Sequence, residues 1–373
     1  MPIDASALPG LTRSVLWSTF ALAFVLGLVA RKTQFCTMGA VADLVNFGDW
    51  TRMRQWLMAI GVAIVGTGLL SAAGIIDTGK SFYTGPRVLV LGYVLGGLLF
   101  GFGMVLSGGC GFRTVVRIGG GSLKSLVVFL VLGFSAFTTL RGAFAVPRVS
   151  LIEPVAVHLS TPQDLPSIVA AAAGVNLSTL QWLLALAIGG ALIAFALARR
   201  DFRQVDNLLA GFVIGGVIAA MWFVTGHLGH LAEHPETLDE AFVATHTGRM
   251  EAFSFVAPIA YSLDWLMFFS DRSRVLTTGP VAVFGVLAGS AALSIMRGEF
   301  RWEGFRDTED TANHLVGAML MGFGGVVAMG CTVGQGLSGV STLAVGSFVA
   351  LGSIIAGAVL GLRYQTWRLQ DAE

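Results

Sequence analysis

The sequence predicts an all-α polytopic integral membrane protein of about nine transmembrane helices. Short broken or re-entrant helices are expected between them, in two pseudo-symmetric, inverted repeats. Three observations carry this reading: charge is scarce, apolar stretches of spanning length recur along the whole chain, and one glycine–cysteine motif occurs twice.

Of 373 residues, 55% are hydrophobic and only 12% charged, and the mean hydropathy is +0.77. Soluble domains carry about 25% charged residues, so a soluble chain of this composition lacks the polar groups to cover its surface. The 49 glycines exceed the usual ~7%. Helices in lipid have no hydrophobic drive to associate and rely on small residues for close backbone approach, so the excess fits a packed bundle. A net charge of +1 without a long basic tract excludes a nucleic-acid partner. Cys36, Cys110 and Cys331 are odd in number and far apart, which argues against a disulfide framework. Taken singly, each is a small apolar filler.

Apolar stretches long enough to cross, or nearly so, run over 14–30, 56–76, 88–108, 123–140, 180–198, 207–224, 250–270, 276–296, 313–330 and 340–362. The first is followed by Arg31 and Lys32 and lacks a small-residue cleavage site, so it reads as a span and not as a signal peptide. Basic residues cluster at Arg31, Lys32, Arg52 and Arg54, at Arg199, Arg200 and Arg203, at Arg272 and Arg274, and in the tail at Arg363 and Arg368. By the positive-inside rule, 31–55, 199–206, 271–275 and the C-terminus are cytoplasmic, and the N-terminus and 225–248 lie outside. Those ends require an odd number of crossings. One of the ten stretches is therefore expected to be broken or re-entrant.

Residues 96–110, GGLLFGFGMVLSGGC, match residues 317–331, GAMLMGFGGVVAMGC, at a constant offset of 221 residues, with Gly-Phe-Gly beginning nine residues before the cysteine in each. A second pair, 24–39 and 212–227, sets Cys36 opposite Val224. The chain thus divides into one repeat over 14–145, a connecting segment over 146–178 and a second repeat over 180–362, all in a single membrane domain. Transporters built from such halves hold their solute near the bilayer midplane, at the repeat interface.

Both copies run from a span into Gly-Cys and then a polar, glycine-dense stretch: SGGCGFRTVVRIGGGSLKS (107–125) and MGCTVGQGLSGVSTLAVGS (329–347). Glycine costs a helix about 1 kcal/mol per position, so Gly109, Gly330 and Gly334 mark helix breaks. Unwound backbone is tolerated at membrane depth only where protein buries it or a cavity is lined. The restarting helix presents free N–H groups and a positive dipole end, which suits an anion. Arg113 is the nearest cation to the first break. Arg31 and Lys32, beside Cys36, read equally well as cytoplasmic anchors. A neutral thiol is a weak, polarizable donor suited to a soft sulfur atom, so three spaced thiols can pass a sulfur-bearing anion along without trapping it.

The motifs FCTMGA (35–40), SGGCGFRT (107–114) and GCTVGQGLSG (330–339), with FRWEGF (300–305), resemble the YeeE/YedE sulfur-transport family over both repeats. The resemblance implies thiosulfate uptake across the bacterial inner membrane, with Cys36, Cys110 and Cys331 as the substrate relay and Gln335 beside them. It implies no enzymatic activity, no resident metal and no cofactor. Some relatives handle selenium, and some work with a small sulfur-carrier protein. The chain ends at Glu373 without room for that domain, so a separate cytoplasmic partner is implied. Competing readings are a soft-metal transporter using thiols and methionines and a membrane sulfurtransferase forming a cysteine persulfide. The histidines His227, His230, His234 and His246 read as a solvated outer loop or, less simply, a zinc site. Asp264 is a charge within an apolar stretch, either on an ion path or at a re-entrant tip. Glu251 and Glu303 are expected to pair with nearby arginines.

Overall fold

The computed structural model describes residues 5–235, 237–271 and 273–370. Among these, eight helical stretches are long and apolar enough to cross a membrane: Leu8–Phe47 (with an internal break), Thr51–Ala72, Gly92–Ile118, Leu123–Arg141, Leu177–Leu197, Val205–Leu228, Thr278–Met296 and Val345–Arg368. A further 20-residue helix, Thr308–Val327, opens on Glu309 and Asp310. The protein is an all-α polytopic membrane protein. Sheet among the described residues is limited to two short antiparallel pairs, Arg87–Val88 with Val157–His158 and His230–Leu231 with Ala241–Phe242.

The helix ends gather on two rims. The first is tied by Arg31–Glu299 and Lys32–Asp206 ion pairs, by Arg54 donating to the Phe195 carbonyl, and by the Arg368–Glu309 pair. The second is tied by Lys80–Glu240, by Phe82 N–H to the Met250 carbonyl, and by Leu165 N–H to the Leu343 carbonyl.

One expectation about topology fails. The sequence placed 225–248 and 271–275 on opposite sides, but Thr278 N–H donates to the Ala244 carbonyl and Arg274 pairs with Asp264 at 3.3 Å. Both segments lie on the second rim. The helix between them, Ala257–Met267, has only 11 residues, about 16 Å of rise against a hydrocarbon core of ~30 Å. The stretch 250–270 is a re-entrant hairpin: extended chain over 250–256, reaching Gly111 with the Phe255 carbonyl, then a short helix back. Arg272, counted in the charge reading, lies outside the described residues. Asp264 lies not at the tip of the hairpin but in the last turn of its returning helix, buried in the ion pair with Arg274 near the second rim.

The duplicated glycines are the crossing points of the bundle. An added Cβ at Gly96 would lie 2.6 Å from the Gly324 carbonyl oxygen, and one at Gly317 would lie 2.6 Å from that of Gly103. Exchanging the two copies converts the first contact into the second. The helical segments carrying them, Gly92–Gly96 continuing into Gly97–Leu106 on one side and Thr308–Val327 on the other, therefore cross antiparallel with backbones touching, which only small residues permit. On the first rim, the FRWEGF stretch clasps the triple-glycine loop: Arg301 N–H donates to the Gly120 carbonyl, Glu303 N–H to that of Gly121, and Leu123 N–H to that of Glu303. The Glu303 carboxylate pairs with Lys124 at 3.0 Å rather than with an arginine, and that hydrogen bond holds its pKa below the ordinary value.

Backbone contact at glycine predicts sharply position-dependent substitutions. A Cβ at Gly289 would fall 2.0 Å from the Phe24 carbonyl oxygen, whereas nothing lies within 4 Å of one at Gly216. In thermal unfolding of detergent-solubilised protein, Gly289→Val is expected to destabilise by at least the 1–3 kcal/mol typical of overpacking, about that or more. Gly216→Ala is expected to be neutral or to stabilise by about 0.5–1 kcal/mol.

Candidate functional site

The three cysteines occupy three copies of one local structure. We number the helices α1, Leu8–Thr33; α2, Thr37–Phe47; α3, Thr51–Ala72; α4, Gly97–Leu106; and α5, Gly111–Ile118. A long helix ends, the residue two before the cysteine turns left-handed, and the cysteine starts a new helix. The left-handed residues are Gln34 (φ 52°), Gly108 (φ 64°) and Met329 (φ 56°). Cys36 leads into α2, Cys110 into α5, and Cys331 into the helical turns 332–341, whose middle, Gly334–Gly339, has the wider π-helical pitch. Only Gly108 adopts its left-handed φ without a Cβ penalty.

Helix starts leave backbone N–H groups unsatisfied, and here sulfur supplies the cap. Gly39 N–H points to the Cys36 sulfur and Gly334 N–H to the Cys331 sulfur, each at 3.4 Å. All three thiols are free and buried. They also converge, for both Cys36 and Cys331 lie near Cys110. Two residue pairs hold the surrounding wall: Phe35 stacks on Trp56 with centroids 4.7 Å apart, and Phe112 tilts on Phe255 at 4.9 Å.

The other sequence candidates surround these breaks. Gly109 is covered by Arg113, whose Cγ would lie 3.0 Å from an added Cβ. Arg113 is buried and donates to the Gln34 side-chain oxygen, while its Nη1 has no partner among the described residues. It lies near both Cys36 and Cys110. Gly330 lies against the Gln335 side chain, and Gly334 against Ser254 and the Tyr83 hydroxyl. The Gln335 amide is engaged at both ends, donating to the Ala328 carbonyl at 2.6 Å and accepting from the Ser347 hydroxyl at 2.6 Å. It fastens the helix before the break to the helix after it.

A cavity of about 630 Å³ opens from the second rim. Its lining includes Arg87, Arg148, Arg249, Glu251, Ser254 and Gly330, and Ser254 Oγ approaches the Cys331 sulfur at 4.0 Å. Arg148 pairs with Glu153; Arg249 has no ion pair among the described residues. Contrary to expectation Glu251 forms no ion pair with an arginine among the described residues. It accepts from Thr278 Oγ1 at 2.6 Å, Thr247 Oγ1 at 2.9 Å and His246 N–H at 3.2 Å. Burial pushes the His246 imidazole down to about 4, so it adds no charge near neutral pH. The other loop histidines serve locally: His227 stacks on Phe223 and His230 bonds Glu240 at 2.6 Å. No group of three metal-binding side chains forms among the described residues.

Sequence reasoning missed Ser254, Thr332 and Gln34. Ser254 sits in a hairpin read as a span, and no composition signal sets it apart. Gln34 had one signal, its place two residues before a cysteine, matching Gly108.

Buried helix breaks that carry three thiols, with one guanidinium nitrogen unpartnered among the described residues, fit a membrane transport protein. The chain belongs to the sulphur transport family, whose model matches residues 32–360. It is similar to the thiosulfate transporter TsuA of Spirochaeta thermophila, 24% identical over 90% of this chain and 94% of that protein. It is also similar to the thiosulfate transporter TsuA of Escherichia coli, 27% identical over 87% of each. A probable transporter YedE of Escherichia coli matches at 37% over a shorter stretch, 22% of this chain and 19% of that one.

The double engagement of Gln335 predicts that Gln335→Ala orphans a buried carbonyl and a buried hydroxyl, each costing about 1–3 kcal/mol. The melting temperature of the purified protein is expected to fall. An unchanged value would mean that the break is held by other contacts.

Proposed function

We propose that this protein carries thiosulfate inward across the bacterial inner membrane, through a central path on which Cys331, Cys110 and Cys36 act in that order. The observation that carries the reading is the convergence of three buried thiols at three helix starts, with Cys331 next to the floor of an arginine-lined cavity. The basic first rim, with Arg31, Lys32, Arg54 and Arg368, is taken as cytoplasmic by the positive-inside rule. The cavity then faces outward, the N-terminus lies outside and the C-terminus inside. Reciprocal glycine contacts between antiparallel helices support reading 14–145 and 180–362 as inverted halves joined by 146–178, with the path at their interface.

Thiosulfate carries a polarizable terminal sulfur and a charged oxygen-bearing end. Neutral thiols donate weakly to the sulfur, and helix starts and the free Arg113 Nη1 offset the charge. No single contact is deep, which suits passage over retention. Gly109, Gly330 and Gly334 keep the breaks narrow, and Gln335 positions the second one. On the cytoplasmic side the anion is handed to a separate sulfur-carrier protein.

The test is uptake of radiolabelled thiosulfate by a sulfur-auxotrophic bacterium expressing the protein. Wild-type protein is expected to support uptake and growth on thiosulfate as sole sulfur source. Cys110→Ala and Cys331→Ala are expected to lower uptake at least about tenfold, the equivalent of 1.4 kcal/mol. Cys110→Ser is expected to retain part of it, because a hydroxyl still donates. Absence of uptake by wild-type protein contradicts the proposal, and a persulfide trapped on Cys110 or Cys331 during turnover replaces the relay with covalent sulfur transfer. Preferential uptake of a soft metal or a selenium oxyanion would redirect the substrate.

A further inference from the structure

Buried polar atoms without a partner are few in folded proteins, and each one calls for an explanation. Three such donors adjoin the cysteines: Thr37 Oγ1, Arg113 Nη1 and Thr332 Oγ1, none with a hydrogen-bond partner among the described residues. Thr37 is 4% exposed and Thr332 fully buried, so bulk water does not satisfy them. Other buried threonines behave differently. Thr19, Thr33 and Thr225 each donate to a carbonyl four residues back in their own helix, the usual outlet for a helical hydroxyl. Thr37 and Thr332 lack that outlet because each opens a helix directly after a cysteine, and the four residues before it belong largely to the break. The polar group beside the Thr332 hydroxyl is the Cys110 thiol, a weak hydrogen-bond partner that leaves the hydroxyl free to turn to a stronger, charged acceptor.

Resting on the transport reading above, the geometry points to Thr332, and Thr37 at the next station, as the groups that bind the oxygen end of the anion. The thiols hold its terminal sulfur. A hydroxyl is a hard donor suited to an oxyanion oxygen, and hydrogen bonds to a charged acceptor are about twice as strong as neutral ones. A Cys-Thr dipeptide at a helix start thus presents one soft and one hard donor side by side. This pair selects anions that carry both a terminal sulfur and oxyanion oxygens over sulfate, which lacks the first, and hydrosulfide, which lacks the second. Thr332 and Thr37 are specificity-determining residues for the proposed transport.

The experiment uses purified full-length protein in proteoliposomes, with radiolabelled thiosulfate and unlabelled sulfate or sulfide as competitors. The variants are Thr332→Val, Thr332→Ser, Thr37→Val and, as a control outside the breaks, Thr67→Val, which removes another unpartnered buried hydroxyl. Valine keeps the shape and removes an unpaired polar group, so Thr332→Val and Thr37→Val are expected to melt no lower than wild type. They are nevertheless expected to raise the half-saturating thiosulfate concentration roughly ten- to a hundredfold. Competition by sulfide should strengthen relative to thiosulfate. Thr332→Ser and Thr67→Val should transport like wild type. Wild-type uptake by both valine variants overturns the inference, as does a loss that merely follows a lowered melting temperature. Should Thr332→Val fail to fold, Thr37→Val decides. Wild-type protein that takes up no thiosulfate at all would instead overturn the transport reading, and this inference with it.

Discussion

Backbone N–H and C=O groups inside a bilayer have no water to bond, and each one left unpaired costs several kcal/mol, roughly the price of a lost hydrogen bond or more. The rest of this structure follows from that constraint, because three helices stop and restart in the interior of the chain. Each stop exposes carbonyls and each restart exposes N–H groups. The protein answers with one device used three times: a left-handed residue closes the old helix and a cysteine opens the new one. Around the third break the chain adds the Gln335 amide, tied to Ala328 and Ser347. The re-entrant hairpin packs against two of the breaks, with Ser254 near Cys331 and the Phe255 carbonyl over Gly111.

The same constraint gives the glycines their place. Sheltering unwound backbone requires neighbouring helices to come very close, and the duplicated glycines at 96, 103, 317 and 324 let two antiparallel helices touch backbone to backbone. Close packing there brings the two Gly-Cys breaks together, so their positive helix starts lie near the same thiols. The anion preference proposed for this site would then be a by-product of how the breaks are held. On the proposed reading, a sulfur anion is distinguished from any other by side-chain chemistry: the buried thiols, and the hydroxyls of Thr37 and Thr332, which make no bond to a carbonyl of their own helix.

Much of this was legible in the sequence, since the repeat, the cysteines and the break glycines are printed at fixed offsets. Composition and hydropathy gave the class directly, and the resemblance in the cysteine motifs agrees with the family match over 32–360. The misreadings share a cause. The stretch 250–270 is apolar enough to pass for a span, but its first part is extended, its helix is half-length, and Asp264 finds Arg274 across a turn. Hydropathy measures apolarity and not whether a chain turns back. Glu251 was assigned an arginine by proximity in sequence, yet its hydrogen-bond partners include Thr278, which reaches it from the next long helix. Gln34 and Met329 adopt left-handed φ without being glycine, and the meeting of Thr332 with Cys110 joins residues far apart in the sequence. Contacts so distant in sequence leave no trace in local pattern.

The central claim, that the three cysteine breaks line the route of a sulfur-bearing anion, is most directly tested by locating such an anion in the protein. A crystal structure obtained with selenosulfate, in which selenium replaces the terminal sulfur of thiosulfate, would mark that atom by anomalous scattering. The account predicts selenium in van der Waals contact with the Cys331, Cys110 or Cys36 sulfur, with the oxygens turned toward hydroxyl and N–H donors. Selenium confined to the protein surface, with the interior empty at saturating ligand, would contradict it.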